Sequence, residues 1–371
     1  MTSTISEPLA TTLATTMLSC RYHGKRERVT VDTVPVPAIG EADALVRVVA
    51  SGICRSDWHL WNGDWSWFGA KVPNPTTLGH EVGGVVERVG SGVKRIAPGT
   101  RVTIPFNIAC GYCPYCREGR QNICDNPSSY FVTEGAGGWQ QYMRVPTADL
   151  NCIPLPTGID ELTAAALGCR YMTAWRAVAD RGAVHGGESL VVHGCGGVGL
   201  AAVQIGAALG ARVIAVDIDD SKLALAKRSG AAETLNARGL NPMEVGGAVK
   251  KANGGPGADV AVDALGSSKT TLGALFSLRK GGRVSQVGLT SGEDKGSVTV
   301  PMDLVVLMEL QIVGSYGNPH SAYPTLLGLV AAGRLKPKEL VSREVGLEDV
   351  DSVLHDMDDF KTTGYVVITR F

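Results

Sequence analysis

Four cysteines in one short stretch, Cys110, Cys113, Cys116 and Cys124, constrain this chain more than any other feature. Their spacing is C-x2-C-x2-C-x7-C, and Gly111, Pro114 and Gly119 among them supply the turns that point four sulfurs at one centre. Four thiolates around one ion make the closed tetrahedral site of a structural zinc. Iron takes the same ligands, but a single closed set without redox motifs favours zinc. Two disulfides are the competing reading. Far apart in sequence, Cys54, His80 and Cys169 form a second set. Three protein ligands leave one position open to water or substrate, the form of a catalytic zinc.

The next signal is a glycine-rich loop. An apolar run at 190–193 enters Gly194-Cys195-Gly196-Gly197-Val198-Gly199, and a helical pattern follows over 200–210. The first glycine permits a tight turn, the second lets backbone approach a pyrophosphate, and the third lets helix and strand pack closely. Phosphate then sits at the helix N-terminus, where free N–H groups and the dipole favour negative charge. A second apolar run, 212–216, ends in Asp217, placed to accept from a ribose 2′-hydroxyl and to repel a 2′-phosphate, which favours NAD over NADP. The plainer reading of Asp217 is a cap on the next helix. Lys222 either reaches the same ribose or is a solvated surface residue. Cys195 reads as a small buried filler.

These sites fall in segments of different texture. Short apolar segments at 29–36, 44–50, 83–89, 101–104 and 140–145, several alternating in period two, predict a β-rich region with long loops. Between 170 and 315, strand-like runs at 190–193, 212–217, 259–263, 283–288 and 311–314 are separated by helical stretches. That alternation predicts a parallel sheet covered on both faces. From about Asn318 the pattern turns irregular and closes on a strand-like 365–369. The expected division is a flexible extension at 1–16, a β-rich domain from 17–169 and 316–371, and an inserted α/β domain at 170–315.

Composition narrows the classes. At 371 residues with 44% apolar side chains, two sizeable cores are possible. The net charge of −1, with Lys and Arg spread along the chain, gives no nucleic-acid footprint and no polybasic membrane anchor. No apolar run approaches the roughly 18 residues of a spanning helix. The start is rich in Ser and Thr, and a lipoprotein-type signal ending at Cys20 lacks a basic region and is interrupted by Thr. Nine cysteines with four in one cluster argue for metal rather than disulfides, and so for a reducing cytoplasm.

With Gly79-His80-Glu81-Val82-Gly83-Gly84, the four-cysteine lobe and the glycine-rich loop in this order, the chain resembles the zinc-dependent alcohol dehydrogenases of the medium-chain dehydrogenase/reductase family over about residues 18–371. The resemblance implies an α/β fold: a GroES-like β-rich catalytic domain with an inserted Rossmann domain, a doubly wound parallel sheet. It implies reversible, NAD-dependent hydride transfer from an alcohol to give an aldehyde or ketone, with two Zn2+ per subunit, one catalytic and one structural. Cys54, His80 and Cys169 match the catalytic zinc ligands. Ser56 matches the hydroxyl that takes the alcohol proton, and His59 the base that relays it through the cofactor ribose to solvent. Asp57 matches the carboxylate that fixes His80, and Glu81 the acid beside zinc, a transient ligand in turnover. Arg55 matches a pyrophosphate contact, and Thr173 and Val198 pack behind the nicotinamide. Leu265, Val287 and Leu289 join the cofactor set.

Trp65, Phe106 and Trp139 align with substrate-pocket positions, although aromatic side chains more often fill cores. With Trp61, Trp67 and Phe68 they point to medium-chain or aromatic alcohols; a polyol, diol or threonine-type dehydrogenase is the alternative. Where relatives carry Gly-Arg near the C-terminus, with the Arg near cofactor phosphate, this chain has Gly364-Tyr365. A homo-oligomer, dimer or tetramer, is expected, with residues 301–314 as the candidate interface.

Overall fold

The computed structural model describes residues 14–69, 71–127, 137–290 and 294–371. The expected extension at 1–16 lies outside the described residues up to position 13. From Thr16 the chain is already in a strand, Thr16–Tyr22, paired with Thr30–Pro35.

Two larger sheets organise the rest. In the first, Ala44–Ile53 is the hub, antiparallel to Val82–Val89, to Tyr142–Val145 and to the C-terminal strand Tyr365–Arg370. The C-terminal strand therefore returns to the sheet begun near residue 44, and the α/β portion is inserted between them. The second sheet has six parallel strands in the order Glu233–Asn236, Arg212–Asp217, Ser189–His193, Ala258–Asp263, Leu278–Gln286, Gln311–Gly314. This is the 3-2-1-4-5-6 order of a Rossmann sheet, and its strand order reverses between Ser189–His193 and Ala258–Asp263. Ligands bind such sheets at the carboxyl ends of those two strands, where the glycine-rich loop begins.

The sequence explains these choices. Leu190, Val191 and Val192 are fully buried, as a strand covered on both faces requires. Strands without an apolar signal were not expected: Glu233–Asn236 (ETLN) and Val341–Gly346 (VSREVG) both lie at sheet edges, where burial demands little. The irregular C-terminal stretch also holds two helices, Tyr323–Ala331 and Val350–Asp358.

The helical run at 161–181 joins the two halves. It breaks at Gly168, with φ −41° and ψ −124°. One apolar core passes from Ala50 and Tyr365 through Tyr171 and Trp175 to Leu190 and Val260, so both sheets share it. Because Ser51 pairs with Val82, the strand ends preceding Cys54 and following His80 are neighbours, and the break at Gly168 delivers Cys169 to the same place.

His193 closes the central Rossmann strand fully inside, with Nε2 3.2 Å from Ser277 Oγ. Burial pulls its pKa down to about 4, against the pull of Asp263. The folded imidazole is therefore neutral where the unfolded one, near 6.5, gains a proton. Its contribution, at most about 3 kcal/mol, is complete above pH 6.5 and is lost as pH falls toward 4. Denaturant melts between pH 7 and 4 should show a steeper loss of stability for the wild type than for His193→Gln.

Candidate active site

Cys54 is the N-cap of the helix Arg55–Asn62 and His80 lies in the turn before Val82–Val89. Asp57, in the first helical turn and fully buried, ties the two together. One oxygen accepts from Cys54 N–H at 2.9 Å; the other accepts from Gly79 N–H at 3.1 Å and His80 Nδ1 at 2.9 Å. A carboxylate on Nδ1 fixes the tautomer and leaves Nε2 as the ligand atom. The ligand atoms of Cys54, His80 and Cys169 lie within 4.8 Å of one another, all buried. The close approach of Cys169 holds the Cys54 thiol well below its ordinary value, and the same contact pushes Cys169 up. Burial lowers the His80 pKa, but Asp57 and the Cys54 sulfur outweigh it and hold the ring well above its ordinary value in the metal-free site. Two sulfurs and one imidazole at this separation suit a zinc with one open position.

The lobe cysteines fit a metal equally well. Sγ separations are 3.5 Å for Cys110–Cys124, 3.9 Å for Cys113–Cys124 and 4.0 Å for Cys110–Cys116. Sulfurs about 2.3 Å from one tetrahedral zinc stand about 3.8 Å apart. A disulfide would need about 2.05 Å, and all four cysteines are free thiols. Burial alone would push Cys110 up, but backbone N–H groups of Tyr112 and Cys113 and the Cys124 sulfur bring it to about 6. The lobe is anchored through Asn151, whose side chain exchanges hydrogen bonds with the backbone of Ala109. Asn122 reaches across to the carbonyl of Tyr316 at 2.8 Å.

Beside the three-ligand set, Ser56 and His59 share one helix, three residues apart and half-buried. His59 gives Nδ1 to Asp64 at 2.7 Å and stacks on Trp65, ring centroids 5.0 Å apart. Burial lowers its pKa below 6.5 although Asp64 opposes this, so the imidazole is a neutral base at pH 7. Phe106 stands edge-on to His80 at 5.9 Å and to Tyr316 at 6.0 Å. Tyr316, half-exposed, was not anticipated; as a lone Tyr beyond the last Rossmann strand it carried no motif.

Three expectations change. Trp139 is fully buried in the core, its indole N–H donated to the Gly52 carbonyl, so its ring does not line an open pocket. Trp61 is likewise core, and Trp67 is exposed; the Phe68 side chain lies outside the described residues. Glu81 stands beside the three-ligand set, paired with Arg170: Nε donates to Oε1 at 2.9 Å and Nη2 to Oε2. Deleting one partner of such a buried pair typically costs about 3–5 kcal/mol.

In the cofactor loop, Gly194 has φ +88°, open to glycine and strained for other residues. A Cβ on Gly199 would lie 1.7 Å from the Gly194 carbonyl oxygen, whereas one on Gly196 meets nothing within 4 Å. The turn is thus tight on its protein side and open where a pyrophosphate would lie, before the helix Gly197–Ala208. Asp217 braces this loop by accepting from Cys195 N–H at 2.6 Å; the following helix is capped by Asp219, which removes the plainer reading of Asp217. Leu265 and Leu289, exposed by 53% and 51%, follow the ends of adjacent strands, with Val287 half-buried beside them. Thr173 is buried on the 161–181 run and Val198 half-buried in the loop. Arg55 lies 3.6 Å over the Trp58 ring and 4.6 Å over Phe360; burial brings it down to about 10, still charged at neutral pH. Lys222, on the helix Asp220–Arg228 of the α/β half, reaches the same Phe360 at 5.5 Å.

A dinucleotide loop facing a buried, open-ended zinc set defines an oxidoreductase acting on CH–OH groups. The descriptions "Alcohol dehydrogenase GroES-like domain" and "Zinc-binding dehydrogenase" match residues 40–157 and 197–332. An NAD-dependent alcohol dehydrogenase of Sulfurisphaera tokodaii is 30% identical over 346 residues, 91% of this chain and 95% of its own length. A sorbitol dehydrogenase of Bacillus subtilis is 30% identical over 352 residues, 94% and 96%. The structure of the alcohol dehydrogenase from Thermus sp. ATN1 superposes with a TM-score of 0.85 at 33% identity, covering 96% of this chain and all of that one. The chain belongs to the zinc-dependent alcohol dehydrogenases of the medium-chain dehydrogenase/reductase family.

Metal analysis of the purified protein should give two zinc ions per chain. Cys113→Ser should lower this to one and destabilise the lobe, because the metal is part of its fold.

Proposed function

We propose that this chain oxidises medium-chain or aromatic alcohols with NAD, and reduces the matching aldehydes or ketones. The observation that carries the substrate class is the apolar layer packed against the three-ligand set: Phe106, 7% exposed, edge-on to both His80 and Tyr316, and Trp65, 9% exposed, on His59. Asp217 at the end of its strand, repelling a 2′-phosphate, supports NAD over NADP. When bound, zinc at Cys54, His80 and Cys169 supplies a Lewis acid and NAD a hydride acceptor. Asp57 holds His80 in place. Ser56 receives the alcohol proton and His59, oriented by Asp64, carries it toward solvent. Arg55 and Lys222, meeting on Phe360 from the two halves, grip the dinucleotide across the cleft. Thr173, Val198, Leu265, Val287 and Leu289 shape the nicotinamide side.

The reading carries wider expectations. The catalytic domain spans 17–169 and 316–371 and the Rossmann domain 170–315. Met302, Val306, Leu307 and Ile312, exposed by 60%, 70%, 80% and 45%, form an apolar face beside the edge strand Gln311–Gly314, which supports a homo-oligomer. Among the described residues no helix is long and apolar enough to cross a membrane, and all nine cysteines are free, which supports a cytoplasmic setting.

The test is reduction of NAD by the zinc-loaded protein with primary, secondary, aromatic and polyhydric alcohols. Aromatic or medium-chain alcohols should give the highest kcat/KM; a preference for polyols would overturn the apolar-pocket reading. His59→Gln should lower kcat at pH 7 by about 10²-fold or more, the low end of general-base effects. The deficit should shrink at high pH, where hydroxide replaces the lost base.

A further inference from the structure

Arg170 has no counterpart in the expectations above. It follows the metal ligand Cys169, and its side chain is only 6% exposed. Besides Nε and Nη2, its backbone N–H also donates to Glu81 Oε1, at 3.0 Å. The guanidinium lies 3.9 Å over the Tyr365 ring. The Tyr365 hydroxyl donates to the carbonyl of Gly197 at 3.0 Å, and Gly197 opens the helix behind the glycine-rich loop.

Small residues are cut to fit this unit. A Cβ on Gly197 would lie 2.3 Å from Arg170 Cδ and 3.4 Å from the Tyr365 ring. One on Gly52 would lie 2.0 Å from Glu81 Oε2, and one on Gly168 2.6 Å from Glu81 Cβ. Close contacts thus run from Glu81, next to the ligand His80, to the first turn of the cofactor helix.

We propose that Arg170 and Tyr365 are positioning residues that brace the cofactor loop at Gly197 against Glu81, so that one buried cation sets dinucleotide affinity and holds the acid beside the metal ligands. Tyr365 supplies the ring and hydroxyl, and the positive charge comes from Arg170 on the helical run. Arg170 holds both Glu81 oxygens beside the metal ligands. The inference rests on residues 194–199 binding NAD.

The experiment is titration of the zinc-loaded, full-length protein with NADH, followed by cofactor fluorescence, with zinc content measured on the same samples. Tyr365→Phe keeps the ring under Arg170 and removes only the bond to Gly197. Its NADH dissociation constant should rise about 3- to 10-fold, the worth of one hydrogen bond, with two zinc ions retained. Arg170→Lys keeps the charge but not the fork, and should weaken NADH at least tenfold. The double variant should be less than additive, because both changes cut one chain of contacts. Arg170→Met with Glu81→Gln, which leaves no unpaired buried charge, guards against simple misfolding and should also bind NADH weakly. Wild-type NADH affinity, within twofold, in Tyr365→Phe and Arg170→Lys would overturn the proposal. So would variants that melt earlier while their folded fraction binds NADH normally, since that marks a merely structural Arg. If the wild type itself binds no NADH, the loop assignment fails and the inference with it.

Discussion

The Asp57 carboxylate is the constraint on which the site depends. It accepts three hydrogen bonds in a fully buried place, from the backbone of Cys54 and Gly79 and from the His80 ring. Those bonds start a helix, fix a turn and orient a ligand at once. Because the donors come from two chain segments, the helix carrying Ser56 and His59 cannot shift without moving His80. Geometry at the reacting position is thus inherited from a capping interaction, a local and inexpensive device. The supporting interactions are part of the site as much as the ligands are.

The two sheets meet over this point for a topological reason. The hub strand Ala44–Ile53 ends at Cys54, and its neighbour Val82–Val89 begins just after His80. The run at 161–181 then crosses to the Rossmann sheet, carrying Cys169 at its break and Tyr171 and Trp175 into the shared core. The reversal of strand order places the cofactor turn on the side of that crossing. Metal ligands and dinucleotide loop are thus separated by one layer of side chains, in which Arg170 and Tyr365 are prominent.

Features written as short, chemically distinctive spacings were legible in the sequence: both cysteine sets, the glycine-rich loop, and the apolar strands 212–217 and 311–314, found at the expected limits. Polar edge strands were not, since Glu233–Asn236 has no buried face to write a pattern with. Trp139 looked like a pocket residue because an aromatic beside glycines reads the same whether it faces a ligand or a core. Arg170 left one signal that passed unread: a charge inside the otherwise apolar run from Leu162 to Trp175. A buried arginine implies a buried acid, and Glu81, next to His80, was the available one. Tyr316 left none, because its place beside Phe106 follows from how residues 315–320 fold over the lobe.

The spacing of the lobe sulfurs has a consequence for the life of the protein. Sulfurs held 3.5–4.0 Å apart around an ion are also close enough to oxidise to one another after a small movement, once the ion departs. Cys110, already disposed to ionise near neutrality, is the thiolate an external two-electron oxidant would attack first, after which a neighbouring thiol displaces the oxidised group to close the disulfide. The bound metal therefore acts as a chemical protecting group, and loss of zinc and exposure to oxidants become one hazard rather than two.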